Sequence, residues 1–171
     1  MKEIFKIIGL IMVGLLTALI IYPFLHEIGH SFVALLVGAR ITNFKILPIP
    51  FVECEVTNIG SAEQMFIGLG GIVFPFVLSM SLKLKWFWGW YANMILKCIS
   101  IYSVILSIIA TVLHVNEKSW QNEDIVQVLN LLPNCKWLFL VLLCLMCIFG
   151  VFQILHEKLI TRCIDFFAET N

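Results

Sequence analysis

Apolar residues run nearly unbroken from Ile4 to Tyr22, resume behind Pro23, and return over 63–82, 91–113 and 136–155, with most polar residues gathered between these blocks. At 1.5 Å rise per residue, a helix over 4–22 spans about 28 Å, close to the roughly 30 Å hydrocarbon core of a bilayer. The blocks predict about five transmembrane helices, over 4–22, 23–38, 63–82, 91–113 and 136–155. Pro23 marks the first boundary. One helix running on to Val37 would reach about 50 Å, too long for a single crossing, and a proline removes a helical hydrogen bond. Two intervals carry structure of their own. Residues 41–57 centre on Pro48 and Pro50, and behind them Val52, Cys54 and Val56 alternate with Glu53 and Glu55. Period-two alternation predicts a short β-hairpin at the membrane surface, between the second and third helices, with both glutamates on its solvated face. Residues 123–132 predict a short amphipathic helix, with Asn122 as N-cap, acids in the first turn and Pro133 beyond the end. Its apolar stripe is Ile125, Val128, Leu129 and Leu132. Asp124 falls at the border of that stripe, about 90° from its centre, whereas Glu123 points away.

The helical faces indicate how the blocks pack. In 23–38, residues four apart read His26, His30, Ala34, Gly38, and one face of 63–82 reads Gln64, Gly68, Gly71, Pro75, Ser79. Small residues at helical spacing let backbones approach closely in lipid, so these two faces are expected to meet. Ser100, Ser103, Ser107, Thr111 and His114 form a hydroxyl stripe, which fits either interhelical packing or the wall of a hydrated cavity. Lys83, Lys85, Trp86, Trp88, Trp90 and Tyr91 mark a membrane–water boundary, and Lys97 is close enough to snorkel toward it. His156 opens a mixed tail and reads as a surface residue.

Composition reinforces the pattern. The chain is 61% hydrophobic and 13% charged, with a mean hydropathy of +1.00, far from the roughly 25% charged residues of soluble domains. It reads as an all-α polytopic membrane protein with one membrane-embedded domain over 1–171, the lipid bilayer being its first partner. A formal charge of zero, without runs of Lys or Arg, excludes nucleic acid as a partner class. The six cysteines are scattered, mostly in apolar segments, and read as small hydrophobes, the Cys144–Cys147 CxxC included. The N-terminus has the basic start and apolar stretch of a signal peptide but no small-x-small cleavage site, so it is expected to remain as a span. With strictly alternating spans, Lys2, Lys6, Arg40, Lys45, Lys118 and Lys136 fall on one side and Lys83, Lys85, Lys158 and Arg162 on the other, which favours a cytoplasmic N-terminus.

The candidate chemistry lies in the second helix, where His26-Glu27-Ile28-Gly29-His30 is an HExxH motif. Residues four apart share a helix face, so both imidazoles can reach one metal ion, while Glu27, about 100° round, can reach a water on it. That is the minimum kit for zinc-assisted hydrolysis. Two imidazoles and a carboxylate within a membrane span are costly and call for a partner. A third ligand is required, and Asp124, Glu123, His114, Glu53 and Glu55 are the candidates. With alternating spans the motif would lie toward the side opposite Asp124. That conflict is relieved if the first helix turns back early or a polar segment dips inward.

The motif, followed by Ala34 and Gly38, a proline-centred strand segment, and Gly68-Leu69-Gly70-Gly71 opening an apolar helix, resembles the site-2 protease type of intramembrane zinc metallopeptidase. The similarity runs from about residue 20 to 133. It implies that His26, His30 and an aspartate bind one Zn²⁺ per chain, that Glu27 is the catalytic base, and that an edge strand holds the substrate extended. The Asn-x-x-Pro…Leu-Asp-Gly signature is absent. Asp124 is assigned from the resemblance of Asn122-Glu123-Asp124-Ile125-Val126 to the divergent bacterial branch, which implies a bacterial cell membrane. The implied activity is hydrolysis of a peptide bond in or near a transmembrane segment of a membrane protein substrate. The alternative is a non-proteolytic metal-binding membrane protein of the same fold, acting as a scaffold or complex partner.

Overall fold

The computed structural model describes residues 2–46, 48, 50–116, 118 and 124–168. The chain begins with α1 (Lys2–Leu16), passes through one wide π-helical turn at Thr17–Ile21, and continues directly as α2 (Tyr22–Leu36). This corrects the break expected at Pro23. The Tyr22 backbone N–H bonds the Thr17 carbonyl, a five-residue step, and this looser turn accommodates the proline's ring and missing N–H just beyond it. The first apolar block and the motif helix are therefore one rod, Glu3–Leu36, of 34 residues and about 50 Å. Among the described residues four helical stretches, where about five were expected, are long and apolar enough to cross a membrane: Glu3–Leu36, Ser61–Ser81, Phe87–Val115 and Pro133–Ala168.

The rod ends where the Ala39 N–H reaches back to the Ala34 carbonyl at 2.8 Å and Gly38 adopts φ +80°, a left-handed helix stop that favours glycine. Gly38 was expected on the packing face. Nothing lies within 4 Å of where its Cβ would stand, so it serves the turn instead. The chain then forms the expected hairpin. Strand β1 (Arg40–Lys45) pairs antiparallel with β2 (Phe51–Glu55), from Arg40 opposite Glu55 to Lys45 opposite Phe51, with an irregularity between Ile41 and Asn43. Glu53 and Glu55 are exposed, as the alternation predicts.

Helix α3 (Ser61–Ser81) runs along α2, and the closest approach is made by two glycines, Gly29 and Gly70. A Cβ on either would overlap the other's carbonyl oxygen, so both positions require glycine for this helix spacing. The expected stripe of α3 is divided among three neighbours. Gly71 faces His26 and His30, Gly68 faces Val128, and Ser79 is fully buried, its carbonyl accepting from Asn93 at 3.1 Å. Helix α4 (Phe87–Val115) follows, then α5 (Asp124–Leu131), a 3₁₀ turn at Pro133–Cys135, and α6 (Lys136–Leu155). The segment read as a mixed tail contains a further helix, α7 (Leu159–Ala168), while His156 is exposed as expected.

The core forms where α3, α4, α5 and α6 meet, around Ile72, Phe76, Val104, Val128, Leu129 and Leu143. An eight-residue helix is marginal on its own. In α5 the side chains of Ile125, Val126, Val128 and Leu129 are all buried, and full burial from water contributes about 1.5–3 kcal/mol for each. This polar interval therefore dips between the helices, which removes the conflict that alternating spans created for Asp124. Ser100, Ser107 and Thr111 are buried between helices, and Ser107 and Thr111 bond carbonyls one turn back. The stripe is packing rather than a cavity wall.

A continuous first rod also changes which end each cation occupies. Lys6 donates to the Phe166 carbonyl, Gly9 lies against Trp88, and Phe87 stacks on Phe166. The chain start thus lies beside the beginning of α4, next to α7. Lys2, Lys6, Lys83, Lys85, Lys158 and Arg162 share this end, and Arg40, Lys45, Lys118 and Lys136 the other, in place of the division expected from five spans. Lys97 is corrected too. It is 2% exposed and ion-paired with Glu157, which also accepts from Trp90 Nε1 at 2.9 Å, so its ammonium ends on a carboxylate within the protein.

Candidate metal centre

Helix periodicity puts His26 and His30 one turn apart on α2, and Gly71 of α3 lies directly against both rings. A Cβ there would stand 2.7 Å from His26 Cε1 and overlap His30 Nε2. The third group enters from α5, whose first residue is Asp124. Asp124 Oδ2 lies 2.9 Å from His26 Nε2 and 3.3 Å from His30 Nε2, and the two Nε2 atoms are 3.2 Å apart. Three donor atoms thus form a nearly equilateral triangle, with His30 buried and the other two half-buried.

The proton inventory shows what this triangle requires. His30 Nδ1 lies 2.7 Å from the Ile67 carbonyl, which accepts the Nδ1 proton, so that in the neutral ring the lone pair is on Nε2. That lone pair faces a carboxylate oxygen and a second imidazole nitrogen. One proton can bridge a single pair of these atoms, whereas one cation at the centre serves all three. Zinc with donors at about 2.0–2.1 Å has tetrahedral edges of about 3.3–3.4 Å, against 2.9–3.3 Å here. The donor set, two imidazoles and one carboxylate, is that of a catalytic zinc site with one position left open. Burial pushes the Asp124 carboxyl up, but its contacts with His26 and His30 more than reverse this and hold it well below the usual carboxylate range. The group is an anion facing the place a cation would fill.

Glu27 is half-buried one position along α2 and does not belong to the triangle. Its carboxylate lies near the Val52 backbone, so it reaches from the motif helix toward β2. Both open on one cleft of about 420 Å³, lined by His26, Glu27, His30 and Asp124 on one side and Val52 and Cys54 on the other. Strand β2 is hydrogen-bonded only to β1 among the described residues, so its other edge is open. The cleft therefore combines three possible metal ligands, a separate carboxylate and an open strand edge.

Among the described residues the metal-competent group consists of His26, His30 and Asp124. The other candidate ligands fall away. Glu53 and Glu55 point outward from β2, and His114 lies in the last turn of α4 outside this group. Asn122 and Glu123 lie outside the described residues. Three supporting features were not anticipated from sequence: the Ile67 carbonyl that orients His30, the Val52 contact to Glu27, and the Gly29–Gly70 crossing. Only the last left a trace there, since one glycine lies inside the motif and the other in a Gly-Gly pair. The chain matches no protein-family model, no curated protein and no solved structure, so the reading of this centre rests on its own geometry.

Proposed function

We propose that the chain is a membrane-embedded zinc metallopeptidase of the site-2 protease type, hydrolysing a peptide bond in or near a transmembrane segment of another membrane protein. The observation that carries this reading is the donor triangle of His26, His30 and Asp124, closed to 2.9–3.3 Å with Glu27 beside it and outside it. The outer surface supports a bilayer as the surroundings. Phe5 is 72% exposed, Leu19 68%, Ile148 67% and Leu155 76%, and such apolar surface is far more than a soluble monomer exposes.

His26, His30 and Asp124 would hold the ion, and Gly71 and the Ile67 carbonyl fix the imidazoles in the orientation that ligation needs. When bound, zinc supplies a Lewis acid for the scissile carbonyl and for the attacking water. Glu27 is placed to take a proton from the attacking water and to return it to the leaving amine. A peptide bond within a helix is shielded, so the substrate segment unwinds before it is cut. Adding to the open edge of β2 replaces its helical hydrogen bonds with strand ones. The same strand lies beside Glu27, which brings the extended backbone to the base.

The test is metal analysis together with cleavage of a co-expressed single-span substrate, comparing the parent with Glu27→Gln and His26→Ala in the same membrane. Glu27→Gln should keep its zinc while cleavage falls by about 10² to 10⁴-fold, the cost of losing a positioned base. His26→Ala should lose both. Unchanged cleavage by Glu27→Gln would rule out this mechanism. A parent that binds zinc but cleaves nothing across a broad substrate panel would favour the non-proteolytic, metal-binding alternative.

A further inference from the structure

At the end of the molecule away from the metal centre, a second pocket of about 390 Å³ opens between the turn after α3, the end of α6 and α7. It lies about 20 Å along α3 from the first cleft, taking the 14 residues from Gly68 to Leu82 at 1.5 Å each. Three cations line it: Lys83, Lys85 and Arg162. None of the three is in an ion pair among the described residues. The one carboxylate in the lining, Glu157, is engaged by Lys97 and Trp90 and lies close enough to Arg162 to feel its charge as well, which leaves the cations in excess. Arg162 is held over the Trp90 ring, 5.0 Å from its centroid, which orients its guanidinium at the rim. The pocket is therefore electropositive even though the chain as a whole is neutral.

Asn93 adds a second, independent feature. It lines the same pocket and is 6% exposed. Its Nδ2 donates to the Ser79 and Leu82 carbonyls, both at 3.1 Å, which fixes the amide so that Oδ1 cannot trade places with the nitrogen. Oδ1 is buried and has no hydrogen-bond partner. The amide thus ties the start of α4 to the end of α3 behind the three cations, and a ligand suited to this pocket carries an anion for them. The location narrows the class further. Three of the long apolar helices begin or end here, at Ser81, Phe87 and Leu155, and Trp86, Trp88 and Trp90 cluster at the same level, as aromatic side chains do at lipid headgroups. On the outer side, Ile160 and Ile164 of α7 are exposed, as in a helix lying in the membrane interface.

We propose that this pocket binds the headgroup of an anionic glycerophospholipid, with Lys83, Lys85 and Arg162 on the phosphate. Phosphatidylglycerol has this chemistry. Phosphatidylcholine has the phosphate but no net charge.

The experiment titrates full-length protein in neutral detergent with dioctanoyl phosphatidylglycerol, dioctanoyl phosphatidylcholine, sn-glycerol 3-phosphate and inorganic phosphate, following complexes by native mass spectrometry. Phosphatidylglycerol should bind at least tenfold more tightly than phosphatidylcholine. Each charge removed, by Lys83→Gln, Lys85→Gln or Arg162→Gln, should weaken it roughly fivefold. Equal binding of phosphatidylglycerol by the parent and the triple variant would overturn the assignment. Glycerol 3-phosphate or inorganic phosphate binding as tightly as the lipid would make this a soluble-phosphate site and overturn it as well. Should the triple variant fail to fold, the single variants and the parent's salt dependence decide. Phosphatidylglycerol binding that does not weaken between 50 and about 200 mM salt is incompatible with three phosphate-facing cations. These readouts need no metal and no proteolysis, so they stand apart from the test of the first site.

Discussion

Two clusters of ionisable side chains lie among the apolar helices, and they are built on opposite principles. In the Lys97 cluster every strong group is matched. The ammonium meets the Glu157 carboxylate, and that carboxylate also accepts from Trp90 Nε1. In the His26, His30 and Asp124 cluster, a carboxylate oxygen and two imidazole nitrogens converge to within 2.9–3.3 Å of one another. One of those nitrogens has its ring proton committed to the Ile67 carbonyl. The first cluster is complete within the protein, and the second has the geometry to hold an added cation. A matched buried pair is weak evidence for function, whereas a carboxylate and two imidazoles converging in a cleft make a candidate site.

The comparison is broken most sharply at Asp124. Asp124→Ala removes the only acid in the triangle, so zinc affinity should fall by more than the roughly 10- to 100-fold typical of losing a mere supporting contact, and cleavage should fall with it. Glu123→Ala should leave both near the parent. Equal zinc retention by the two variants, measured on protein purified without chelator, would remove Asp124 from the site.

Glu157→Gln probes the other cluster. It leaves the Lys97 ammonium buried without its counter-charge, and breaking such a pair costs about 3 kcal/mol. The figure is taken at the low end because Glu157 is itself 22% exposed. Thermal unfolding in detergent should show that loss, while zinc content per folded molecule stays unchanged. Replacing both residues, as Lys97→Met with Glu157→Leu, should recover most of it. The equivalent double removal of His26 and Asp124 would abolish zinc binding, which separates a structural pair from a site.

A smaller effect is expected at Gly71, where any Cβ meets both imidazoles. Gly71→Ala should displace the rings and weaken zinc binding by roughly 10- to 100-fold without removing a ligand, read as zinc lost to a chelator of known affinity. Gly38→Ala should be milder still. It places a side chain at φ +80° in open space, costing about 1 kcal/mol of stability and leaving metal affinity untouched.

Much of this fold was legible along the chain because its signals are local. Apolar blocks of membrane length gave the spans over 63–82 and 136–155 to within two residues of α3 and α6, and period-two alternation gave the hairpin with Glu53 and Glu55 outward. Pro23 misled. A proline is a strong local stop signal, but one wide turn ahead of it let the helix continue, and that turn has no sequence signature. Lys97 misled in a related way. Its aromatic neighbours suggested a headgroup, whereas the carboxylate that takes its charge lies 60 residues away in sequence.

His26, Glu27 and His30 were determined by the sequence alone, because a four-residue step on any helix brings two imidazoles to one face. What would join them was not, since Asp124 is 98 residues from His26 and its helix could as well have lain on the surface. Tertiary structure decided that by burying Ile125, Val126, Val128 and Leu129 together, which draws the first turn of α5 against α2. It also decided that Gly29 and Gly70 should cross and that Gly71 should face the rings. Period and composition are properties of neighbours along a chain. Closure of a donor triangle is set by which apolar faces bury each other, and that is a property of the packed whole.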